Sequence, residues 1–182
     1  MVKNGKKCFK VEKNYLILGI KICMISFTGD YYCKLDSKGR ILLPSAFKKQ
    51  MGDKVIDRFV IKKAIFEKCL YLYPYEEWKR QISILRTNIN PYNRSHTEFL
   101  REFFKGTAEI ILDNNNRLLI PKRLLEWAEI KSEVVLAGQD DKIAIWDKDI
   151  YESNSLSDEQ FASLAEKILG NNQIINNQTE NK

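Results

Sequence analysis

The segment from Phe27 to Pro44 occurs twice in this chain. Advanced by 77 positions, Phe27, Gly29, Leu35, Asp36, Arg40, Leu42 and Pro44 fall on Phe104, Gly106, Leu112, Asp113, Arg117, Leu119 and Pro121 without a gap. The shared pattern is F-x-G-x5-L-D-x3-R-x-L-x-P. An internal repeat decides the architecture before any single element does, so the chain is expected to be two copies of one unit. Both copies keep an acid and a base four apart, so whatever the segment does it is expected to do twice.

Each copy reads as strand–turn–strand–helix–strand–strand. Short apolar runs at 31–35 and 41–43 flank the first turn, and those at 109–112 and 118–120 flank the second; runs of this length between turn residues suit buried strands. Asp36 and Asp113 are good turn initiators, because a carboxylate can accept from the backbone two residues on. Gly39 can take a positive φ without penalty, and Asn116, in the same place, is among the most tolerant of the other residues. Pro44 and Pro121 suit a first helical position, where no backbone donor is needed. Ala46, Phe47 and Met51 then give one short apolar face, and Leu124, Leu125, Ala128 and Ile130 another. Further strands are expected at 59–61 with 69–73, and at 134–136 with 143–146. Helices are expected over 75–86, with Trp78, Ile82 and Leu85 on one stripe, and from Asn90 and Pro91 to Phe104. Another follows the capping-box pair Ser157 and Gln160, with Phe161, Leu164, Ala165, Ile168 and Leu169 at helical spacing. The Asn- and Gln-rich stretch 171–182 reads as a disordered tail. The class is α+β, with a mainly β core and added helices. Each half alone would expose strand edges, which interleaving the two hairpins into one closed barrel would remove.

Net charge is +6 over 182 residues, which suggests an acidic partner. Its distribution weakens that inference. Residues 1–23 hold six lysines against Glu12, a net of +5, and the remainder holds 24 basic and 23 acidic side chains, a net of +1. Any basic surface must therefore be local. The apolar run 15–20 is far too short to span a bilayer and is followed by no small-residue cleavage site. Met24 flows directly into the first repeat, so residues 1–23 are expected to be an upstream extension, not part of the native protein. Cys8, Cys23, Cys33 and Cys69 form no C-x-x-C pair, and with His96 as the one histidine they make no zinc set. They read as free thiols, and no cofactor or metal is expected. Phosphate-loop, dinucleotide and nucleophile–base patterns are missing from the sequence, so no enzyme is expected. His96, Trp78 and Trp146 read as surface or packing residues.

The two turns are the candidate site. Lys34, Lys38, Arg40, Lys48 and Lys49 surround Asp36 in the first. Successive backbone N–H groups of a tight turn can cradle an anion, and an arginine fork can grip phosphate or a guanine edge. The second copy keeps Asp113 and Arg117 but has Asn115 in place of Lys38, with Lys122 and Arg123 close behind. Residue types alone are equally met by an Asp–Arg ion pair that only braces each turn.

The run from Met24 to Gly29, then Leu35 to Pro44, closely resembles the opening of MraZ proteins. Leu70 to Trp78, Asn90-Pro91 with Arg94, and Val135 to Gln139 with Ile145-Trp146 extend the resemblance across about residues 24–170. It implies two tandem AbrB-like units, at 24–103 and 104–170, forming an intrachain swapped-hairpin β-barrel. It also implies a cytoplasmic, nucleoid-associated transcription regulator that assembles into ring-shaped homo-oligomers. Such proteins bind short tandem DNA repeats upstream of the division and cell-wall gene cluster that includes their own gene. On this resemblance Lys38, Arg40 and Arg117 contact DNA, with Lys34, Lys122 and Arg123 nearby, while Asp36, Gly39, Asp113 and Asn116 shape the turns. The family's second motif carries glycine before its arginine, where this chain has Asn116, so the two turns are expected to differ in strength. An antitoxin-type module, whose main partner is another protein, is the alternative expectation.

Overall fold

The computed structural model describes residues 25–52 and 56–170. The expectations for 1–23 and 171–182 lie outside the described residues. In chain order the elements are β1 (Asp30–Lys34), β2 (Arg40–Leu42), α1 (Ser45–Gln50), β3 (Arg58–Lys63), β4 (Leu70–Pro74), α2 (Tyr75–Asn88) and α3 (Arg94–Phe104). The second half supplies β5 (Ala108–Ile111), β6 (Arg117–Leu119), α4 (Lys122–Trp127), β7 (Glu133–Gln139), β8 (Lys142–Asp147), α5 (Lys148–Ser153) and α6 (Asp158–Leu169).

The halves do not fold side by side. A six-stranded sheet runs β1-β7-β8-β4-β3-β5, and β2 pairs with β6 in a separate ribbon. Each copy's first strand thus lies on a late strand of the other copy: Tyr32 opposite Val135, and Phe59 opposite Ile110. All these pairings are antiparallel. The continuous ladders do not close into the expected barrel. β1 and β5 are the sheet edges, and only the single bridges Leu35–Ile41 and Leu112–Leu118 tie them to the ribbon.

The sheet alternates as a two-faced layer should. On one face Phe59, Ile61, Leu70, Leu72, Val134, Leu136, Ile143 and Ile145 meet Ile41 and Leu118 of the ribbon, Phe47 of α1 and Leu124 of α4. On the other face Cys69, Val135, Ala137, Ala144 and Trp146 form a smaller cluster, flanked by Ile150 and Tyr151 of α5. Gly138, on the same face as Val134 and Leu136, lets the backbone of Phe27 approach the sheet: a Cβ there would stand 2.6 Å from the Phe27 carbonyl carbon. α2 and α3 join through Trp78, which stacks on Phe103 at 6.0 Å.

Two further expectations need correction, and one element was not foreseen. Pro44 and Pro121 are helix N-caps, not first helical residues; their ψ angles of 137° and 130° are extended, while their carbonyls accept from Lys48 and Leu125 one turn on. The helix after Pro91 starts later, at Arg94, because the Asn93 side chain accepts from the amides of Ser95 and His96. α5 was not anticipated: Asp147 caps it from the end of a buried strand, and six residues are too few to show a helical period.

Candidate nucleic-acid interface

Both turns fold by the same local chemistry. One carboxylate oxygen of Asp36 accepts from the amides of Lys38 and Arg40, each at 2.9 Å, and the other accepts from the Arg40 Nε at 2.6 Å. Asp113 does the same with Asn115 at 2.8 Å and with the Arg117 amide and Nε at 2.9 Å. The Arg40 amide, foremost, and its guanidinium hold the Asp36 carboxyl below the usual carboxylate range; the Arg117 amide and guanidinium do this to Asp113. Gly39 at φ 78° and Asn116 at φ 59° close the two turns. The brace foreseen from residue types is therefore present in both copies. It engages Nε, and four of the five guanidinium N–H donors of each arginine make no bond among the described residues.

The ribbon brings the turns together. Arg40 lies opposite Leu119, and Leu42 opposite Arg117. The Ile120 amide donates to the Gly39 carbonyl and the Leu43 amide to that of Asn116, so one turn closes each end of the ribbon. From strand spacing and rise, the two arginine Cα atoms lie roughly 8 Å apart. Alternation puts Arg40, Leu42, Arg117 and Leu119 on the outer face and Ile41 and Leu118, each 1% exposed, on the core face. The apolar runs at 41–43 and 118–120 are thus not wholly buried: Leu42 and Leu119 are 56% and 55% exposed.

The remaining candidate cations lie at the end of β1, in the first turn and at the start of α4. Lys38 and Arg123 are exposed. Lys34 reaches Glu133 at 3.5 Å and Lys122 reaches Glu126 at 3.7 Å, both as exposed pairs that are worth little and easily exchanged. Three residues were underread. Lys48 reaches across the repeat to donate to Asn116 Oδ1 at 2.5 Å, which no local pattern announces. The leucine pair did carry a signal, since it is part of the repeated pattern two residues after each arginine. Among the described residues no group of three His, Cys, Asp or Glu side chains is placed to hold a metal. None of the described helices is long and apolar enough to cross a membrane. His96 accepts from the Asn90 amide through Nδ1, a structural contact.

Comparison with known proteins identifies the family. The family described as "MraZ protein, putative antitoxin-like" matches residues 26–101 and again 103–171. A protein of Christiangramia forsetii named Transcriptional regulator MraZ is 45% identical over 150 residues, covering 81% of this chain and 96% of the relative. Proteins of the same name from Flavobacterium psychrophilum and Phocaeicola vulgatus are 39% and 38% identical, over 81% and 82% of this chain and 94% and 97% of their own lengths. Two family matches in tandem, and identities of 38–45% over four fifths of the chain, make it a member of the MraZ family.

Proposed function

We propose that this chain is a sequence-specific DNA-binding regulator of transcription, without enzymatic activity. The observation that carries the reading is the outer face of the β2–β6 ribbon, on which Arg40 and Arg117 stand together with the turns that brace them. A two-stranded ribbon fits the major groove, about 12 Å wide. Arg40 and Arg117 offer forks to phosphate or guanine, Lys38 and Arg123 contact phosphate, and Lys34 and Lys122 exchange their surface carboxylate partners for the DNA backbone. The exchanged strands support reading 24–103 and 104–170 as AbrB-like units that swap hairpins, with the two bridges as the seams between sheet and ribbon. The relatives' names support regulation of transcription.

A single ribbon makes few contacts, so avidity must come from several subunits. A ring-shaped homo-oligomer on short tandem repeats upstream of its own gene, in the division and cell-wall cluster, meets that need; the protein would then work in the cytoplasm at the nucleoid. The test is an electrophoretic shift at fixed salt with the DNA upstream of this gene. Arg40→Ala is expected to abolish the shift while the circular dichroism spectrum stays unchanged and stability falls by no more than the roughly 1 kcal/mol of the lost Asp36 pair, and wild-type affinity in that variant would refute the reading. Wild-type binding should also fall steeply with added salt. A second reading, an antitoxin-type module for a protein partner, is favoured by α6, whose Phe161, Leu164, Ile168 and Leu169 are exposed. A partner protein that co-purifies with the wild type but not with a chain lacking α6 would support it.

A further inference from the structure

The leucines of the ribbon face ask for an explanation that the arginines do not supply. Leu42 and Leu119 sit at the same place in both copies, and both are more than half exposed. The core has no use for them: on the same strands Ile41 and Leu118 are the buried residues. Nor do the turns, whose hydrogen bonds come from Asp36, Asp113 and backbone amides. Register makes the four outward side chains a small square. The two leucines take one diagonal and the two arginines the other, each pair about 7–8 Å apart.

We propose that Leu42 and Leu119 read thymine, by packing on the C5-methyl groups of two base pairs in the major groove between the sites held by Arg40 and Arg117. This rests on the DNA-binding reading and deepens it. The chemistry follows from what a base pair presents. In the major groove G, C and A offer hydrogen-bond donors and acceptors, which an alkyl side chain cannot satisfy; only thymine adds a methyl group. A leucine held there favours thymine and disfavours bases whose polar edges it would strip of water. Occupancy by DNA rather than by a second copy of the chain is favoured by the charge around the square. Lys38, Arg40, Lys48, Lys49, Arg117, Lys122 and Arg123 lie on the ribbon, its turns and the helices that follow, where like-charged copies would repel and a polyanion would be drawn in.

The experiment uses the full chain and the duplex upstream of its gene, made once with thymine and once with uracil throughout, so that only the methyl groups differ. Titrations of wild type and of the Leu42→Ala/Leu119→Ala double variant at one salt concentration give four affinities. Wild type is expected to prefer the thymine duplex by roughly fourfold for each methyl contact. The double variant should bind the thymine duplex more weakly and lose that preference, with an unchanged Tm. A preference of equal size in both proteins would come from DNA shape and overturns the proposal. Equal wild-type affinity for both duplexes, with binding still abolished by Arg40→Ala, overturns the thymine assignment and leaves the DNA-binding reading standing. Wild type that binds neither duplex overturns both. If the leucine variant retains the preference and instead loses self-association in sedimentation velocity, the face is a contact between copies and the proposal fails.

Discussion

Gly39 and Asn116 hold the same place in the two turns, and the structure explains why they differ. The residue lying over the first turn is Leu125; a Cβ at position 39 would stand 3.3 Å from its Cδ1. At the matching place over the second turn stands Lys48, a donor, and Asn116 gives it an acceptor. The departure from glycine, which reads in the sequence as a weakened motif, is thus a local fit to a cross-repeat neighbour. Gly39→Ala combines a positive φ with that close approach and should cost about 1–2 kcal/mol. Asn116→Gly loses one exposed contact and should cost clearly less. Thermal denaturation of the two variants side by side measures the difference, and equal losses would show that the covering residues are irrelevant.

At the scale of elements, the ribbon and β3 carry the points that periodicity could not resolve. Three-residue strands are too short to reveal which side faces the core, so the run 41–43 read as buried although alternation exposes its centre. β3 reads as apolar at 59–61, yet the strand continues through Lys62, which is only 4% exposed and whose Nζ lies 3.8 Å from the centre of the Phe103 ring of α3. Burial lowers the Lys62 ammonium pKa to about 8. The unfolded chain holds that proton up to the ordinary value of 10.5, so the cost of the buried charge is fully present below pH 8 and is relieved as pH rises above it. Lys62→Met should therefore stabilise the protein near neutral pH by about 1–3 kcal/mol, with a gain that shrinks from pH 8 upward. Urea unfolding at pH 7 and pH 9 tests both statements; a gain independent of pH would mean that the charge is not what costs.

At the scale of the molecule, each half keeps only a two-stranded hairpin of its own, β3–β4 in the first and β7–β8 in the second. Ending the chain after Lys105 removes β7 from β1, β6 from β2, β5 from β3 and β8 from β4. Either half alone is expected to be unfolded as a monomer, regaining structure only where two copies exchange strands. Circular dichroism with sedimentation velocity decides this, and a folded monomeric half would refute it. The repeat, the two turns and the capping box of α6 were legible in the sequence because each rests on chemistry within a few residues, a carboxylate reaching amides two and four positions on or a serine and a glutamine three apart, whereas the starts of α1, α3 and α4 were each misplaced. The MraZ resemblance was legible for the same reason, being carried by contiguous motifs. The interleaving of the hairpins was expected from their exposed edges; what the sequence did not contain was its register, which pairs residues 47 to 107 positions apart, or the outward turn of Leu42 and Leu119. It was likewise silent on the reach of Lys48 to Asn116. Those depend on register and on which neighbour covers each turn, and only packing of the two halves against one another sets them.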